Sequence, residues 1–79
     1  MSTVILDQVL PDQEELVERV ARLIHERTGR MVRGLRIDVQ PGQVVLWGLS
    51  PSYYYKQLAS HAAMEEVDGQ HVANEIQVI

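Results

Sequence analysis

The sequence of 79 residues contains no cysteine. That excludes a disulfide framework and a thiolate zinc site as sources of stability. No apolar run approaches the roughly 18 residues needed to cross a bilayer. The opening Met1-Ser2-Thr3-Val4-Ile5-Leu6-Asp7 lacks the basic start and long apolar stretch of a secretory signal, so a cytoplasmic location is expected. Lysine is nearly missing: six of the seven cations are arginines, and Lys56 stands alone. Acidic residues outnumber basic ones 11 to 7, a net charge of −4 that argues against a general nucleic-acid binder. Internal repeats and low-complexity tracts are absent as well.

What remains is 46% hydrophobic and 23% charged, the proportions of a folded chain, and the length suits one domain. Ordering each residue costs about 1.5 kcal/mol, so a domain this small has a thin margin and gains from burial against a partner. Residues 1–10 form an apolar arm, with Val4, Ile5, Leu6, Val9 and Leu10. Its periodicity fits a frayed arm, a short helix or an extra edge strand equally well. Residues 11–79 are expected to form the single domain.

Residues 12–28 read as a helix. Asp12 and Glu15 have capping-box spacing, with Pro11 just outside. Leu16, Val17, Val20, Leu23 and Ile24 form one apolar stripe, and Gly29 is a natural stop. Residues 34–49 read as a β-hairpin around Pro41-Gly42. Centring the turn there pairs Val39 with Val44, Ile37 with Leu46 and Leu35 with Gly48 on one face. Arg36 with Trp47 and Asp38 with Val45 fall on the other. A slip of one residue would reverse the faces of one strand. Residues 52–67 read as a second helix, with Ser52 as N-cap and Tyr55, Ala59, Ala62, Ala63 and Val67 on its inner face. Asp68-Gly69 ends it. Residues 71–78 read as a last strand, with Val72, Ile76 and Val78 inward. The expected fold is α+β, in αββαβ order, with two helices packed on one face of a three-stranded mixed β-sheet. The expected core is Leu16, Val20, Leu23, Leu35, Ile37, Leu46, Ala59, Ala63, Val72, Ile76 and Val78.

Over residues 35–78 the pattern resembles the BON domain, a small module named for bacterial osmotic-stress and nodulation proteins. The resemblance rests on Gly42, Val44, Leu46 and Gly48, then Lys56, Ala59 and Ala63, then Val72, Asn74, Ile76 and Val78. Three features depart from it. Ser50 stands where the family is usually apolar, Gly69-Gln70 is one residue short before Val72, and Val45 and Trp47 replace small polar residues on the open sheet face. The resemblance implies a non-catalytic module that binds phospholipid surfaces or partner proteins, with no cofactor.

The residues themselves agree with that implication. His25, His61 and His71 read as surface residues, and His61 with Glu65 offers two ligands without a third, so no metal is expected. Ser50 and Ser52 read as loop and cap, Glu65-Glu66 point in different directions, and no catalytic residue is assigned. Of Tyr53, Tyr54 and Tyr55, only Tyr55 shares the core face, so they form no base-stacking platform. Two surfaces remain. Val45, Trp47 and Leu49 on the open sheet face are expected to be a partner interface, for a homodimer or another protein. Arg27, Arg30, Arg33 and Arg36 are the alternative, a site for an anionic ligand or lipid surface. Against the first, Arg36 stacked on Trp47, with the N-terminal arm over the rest of the face, would shield it.

Overall fold

The computed structural model describes residues 11–67 and 69–79. The expectations for the arm at 1–10, for the capping contact of Asp12 and for Asp68 lie outside the described residues.

The chain runs α1 (Pro11–Thr28), β1 (Arg33–Gln40), β2 (Gln43–Ser50), α2 (Tyr53–Glu66), β3 (His71–Asn74) and β4 (Gln77–Val78). Helix α1 starts at Pro11, not after it. Proline suits a first helical turn, because it has no N–H to leave unpaired and its φ is preset. The C-terminal end of α1 closes by a bond from the Arg30 N–H back to the His25 carbonyl, 3.0 Å, past Gly29. Arg30 itself has φ 64°. A non-glycine residue there costs of order 1–2 kcal/mol.

Strand β2 is the centre of the sheet. It pairs antiparallel with β1 and parallel with both β3 and β4. The hairpin keeps the expected register from Arg36↔Trp47 to Gln40↔Gln43. It departs at Leu35: the register shifts between Arg33 and Arg36, so Arg33 pairs with Leu49 and two residues stand opposite Gly48. This is a β-bulge, begun by Gly34 at φ 60°. The last strand is interrupted where continuity was expected. The Glu75 N–H donates to the Leu46 carbonyl at 2.8 Å, and the Ile76 N–H turns to the Asn74 side-chain oxygen at 3.1 Å.

The core lies between the helices and one sheet face. Val20, Ile24, Val32, Ile37, Val44, Leu46, Ala59, Ala62, Ala63, Val67 and Ile76 are buried together. Leu16, Leu23, Leu35 and Val72 pack against them, half-buried. Val78 is the exception among the expected core residues, at 45% exposure. It sits at the end of an edge strand, with a neighbouring strand on one side only. The three alanines of α2 have no exposed surface, which fits a helix held close to its neighbours. Two ion pairs on the rim join the helices, Arg27 to Glu65 and Arg19 to Glu66.

Asn74 ties the broken strand to α2. Its amide donates to the Lys56 carbonyl at 2.8 Å while its oxygen takes the Ile76 N–H. Replacing Asn74 by Ala takes this side chain away from the Lys56 carbonyl and the Ile76 N–H, and leaving a buried group without its partner costs about 1–3 kcal/mol. Urea denaturation of Asn74→Ala is expected to show a lowered midpoint with an unchanged slope. An unchanged midpoint would mean that these two bonds contribute nothing.

Candidate functional site

The bulge at Gly34-Leu35 reorganises the open sheet face. Side chains alternate along a strand, so without a bulge Arg33 and Arg36 would point to opposite faces. The extra residue restores Arg33 to the face of Leu49, its register partner. Arg33, Arg36, Trp47 and Leu49 therefore share one surface. Arg36 lies over the Trp47 ring, with its guanidinium carbon 5.5 Å from the centroid. That is cation–π geometry, as the sequence suggested. Trp47 nevertheless stays 38% exposed, and Leu49 is 42% exposed.

Val45 does not belong to the exposed part of this patch. It is 6% exposed. It occupies the middle of the central strand, flanked in register by Asp38 and Ala73 and followed on the same face by Trp47. Those neighbours enclose a short branched side chain where they leave a larger ring uncovered.

The four arginines separate. The Arg27 guanidinium donates to both Glu65 carboxylate oxygens at 2.7 Å, a bidentate pair across the helices. Its hydrogen bonds hold the Glu65 pKa below its ordinary value and raise that of Arg27. Arg27 is thus paired within the chain, on the exposed rim between the helices. The same pair occupies the carboxylate that would have joined His61 in a metal site. Arg36 is spread over Trp47. Arg30 and Arg33 come together in a cleft of about 340 Å³ with Met31, Leu49, Ser50, Pro51 and Ile79. The α1 terminus delivers Arg30 to this cleft, and the bulge delivers Arg33.

Met31 was not legible as a site residue. It is 42% exposed in the short turn between α1 and β1, where no periodicity marks a face. Ser50, the departure from the family pattern, is fully buried at the floor of this end. Its hydroxyl donates to the Ser52 carbonyl at 2.6 Å and accepts the Ser52 N–H at 3.3 Å. Ser52 in turn caps α2, its side chain accepting from the Tyr55 N–H. The serines hold the end of β2 to the start of α2, which is a structural use of both.

The other polar groups are likewise placed for structure or solvent. His61 and His71 are exposed, and His25 is half-buried with its Nδ1 enclosed and unpartnered. Tyr53 and Tyr54 are exposed, while Tyr55 packs against the core and meets Tyr54 edge-on at 5.3 Å. Among the described residues no cluster of three or more His, Asp or Glu is arranged to hold a metal. No helix among them is long and apolar enough to cross a membrane.

Two helices on one face of a small mixed sheet, with an apolar and cationic surface at one end, define a small binding domain. The chain belongs to the BON domain family, whose model matches residues 12–79. This is a family of non-catalytic binding domains. Comparison with curated proteins and with solved structures returned no match.

Proposed function

We propose that this BON domain attaches to anionic phospholipid surfaces through the end of the sheet where Arg30 and Arg33 share a cleft with Met31 and Leu49. That juxtaposition carries the reading. Apolar side chains ringed by arginines match the boundary between acyl chains and charged headgroups. Guanidinium forks suit phosphate oxygens. Trp47 shares the sheet face of Arg33 and Leu49, and tryptophan is an interfacial residue by its amphipathic ring. Arg30 also occupies a backbone conformation that glycine would adopt at lower cost, and cost of this kind gathers at functional sites.

The test uses phosphatidylglycerol–phosphatidylcholine vesicles and pure phosphatidylcholine vesicles, each at low and high salt. Trp47 is the only tryptophan, so its emission reports the contact. A blue shift with anionic vesicles at low salt is expected, fading as salt screens the arginines. An arginine near an anionic surface contributes about 1 kcal/mol, so Arg30→Gln with Arg33→Gln is expected to weaken partitioning roughly 30-fold. Wild-type protein that ignores anionic vesicles at low ionic strength would overturn the reading.

The exposure of Trp47 and Leu49 favours a second reading, in which a protein partner covers the open face. Apolar contact tolerates salt, so that complex would persist where vesicle binding fades.

A further inference from the structure

We propose that two copies of this chain pair through the outer edge of β1, antiparallel about a two-fold axis at Ile37, to form one continuous sheet. Among the described residues β1 pairs with β2 alone, and none of them supplies a strand to its other edge, which is a template for pairing. The opposite edge of the sheet is a poorer template, because it is broken into β3 of 4 residues and β4 of 2. Beside Ile37 a cleft of about 360 Å³ opens, lined by Glu14, Val17, Glu18 and Ile37.

The hydrogen-bond parity of the sheet determines which groups are free. The carbonyls of Gly42, Leu46 and Ser50 accept from His71, Glu75 and Ile79. Even-numbered residues of β2 therefore bond toward the last strand, and odd-numbered ones toward β1. Their register partners Arg36, Asp38 and Gln40 are turned inward. Ile37 and Val39 present N–H and C=O groups outward.

Charge then favours the axis at Ile37 over its immediate neighbours. With the axis at Ile37, that residue meets its own copy as a hydrogen-bonded pair. Arg36 comes opposite Asp38 of the second copy, twice by symmetry, on the open face. Leu35 comes opposite Val39, also twice, on the helix side, and both are half-buried in the single chain. Moving the axis by one residue opposes Asp38 with Asp38, or Arg36 with Arg36. Like charges directly across strands are destabilising. The sequence of this edge is self-complementary in a way that an isologous dimer requires.

Amide hydrogen exchange of the full chain, followed by NMR from about 10 µM to about 1 mM, tests the pairing across the range of ordinary dimer affinities. The Ile37 and Val39 amides are expected to gain protection as concentration rises. The Arg36, Asp38 and Gln40 amides serve as controls, protected throughout. Sedimentation supplies the second arm. Asp38→Arg alone and Arg36→Asp alone are each expected to weaken the dimer at least about tenfold, by like-charge opposition. The double exchange is expected to restore it. Three outcomes would overturn the proposal. One is fast exchange of Ile37 and Val39 at the highest concentration. Another is protection that ignores concentration and vanishes when residues 1–10 are removed, which would place the chain's own arm on this edge. The third is a dimer indifferent to both charge reversals, which would lie on another surface.

Discussion

Leu46→Ala is expected to leave the chain largely unfolded at ordinary temperature. Leu46 has no exposed surface and sits on the central strand, between Ile37 of β1 and Asn74 of β3 in register. Truncating a buried leucine costs about 2–5 kcal/mol, because the lost transfer energy is joined by the cavity left behind. A small domain has about 5 kcal/mol in total to lose. The cavity would open inside the buried cluster that Leu46 shares with Val20 and Ile24 of α1, Ala59 and Ala63 of α2, and Ile37, so collapse around it is hindered. With a urea slope of about 1 kcal/mol per molar, the midpoint is expected to fall by about 2 M or more. A midpoint within experimental error of wild type would contradict the register of the hairpin and the burial of its inner face.

Gly48→Ala is expected to be nearly as damaging, for the opposite reason. A Cβ at position 48 would lie 3.0 Å from the Arg33 carbonyl oxygen, 3.1 Å from Val32 Cγ1 and 3.5 Å from Leu35 Cα. The first is backbone and the second belongs to a buried side chain, so neither yields at low cost. Overpacking of this kind costs about 1–3 kcal/mol, which lowers Tm by about 5–20 °C in a domain of this size. The effect also has an address. Gly48 stands opposite the bulge, and the bulge turns Arg33 toward Leu49. NMR shifts of Arg33 and Leu49 are therefore expected to move in Gly48→Ala more than those of α1. Wild-type stability in this variant would show that β1 approaches β2 less closely here.

Gly48 also shows what a motif means physically. The resemblance to the BON domain rested partly on Val44, Leu46 and Gly48. The two apolar residues alternate inward, and the glycine admits the bulged strand. Asn74 is similar: it fills both of its polar groups at the strand break. Neither reason was visible in one dimension, although both positions were. Ser50 ran the other way. It broke the family pattern, yet its burial is satisfied by the Ser52 backbone.

Much of the fold was legible because its signals are local. Periodicity of 3.6 marked α1 and α2, alternation marked β1 and β2, and Pro41-Gly42 set the pairing from Arg36 to Gln40. Parity alone placed Trp47 and Leu49 away from the helices. It could not report exposure. Val45 shares their face and is buried, because strand neighbours on both sides decide how much of a side chain water reaches. Val78 shares the face of Ile76 and is exposed, because it lies at the end of an edge strand.

The site divided along the same line. The sequence by itself determined that six arginines cluster in one stretch and that an apolar patch occupies the open face. Composition and local spacing suffice for both. Tertiary structure alone decided which arginines are paired among the described residues. Arg27 is held by Glu65, 38 residues away, once α1 and α2 are laid together. Arg33 reaches the face of Leu49 because one extra residue in β1 reverses its direction. Arg30 joins it because α1 ends in a left-handed residue that turns the chain there. The first depends on the meeting of two segments distant in sequence, the second on a one-residue change of strand parity, and the third on a left-handed non-glycine residue just past the helix, and none of the three has a signature in residue spacing.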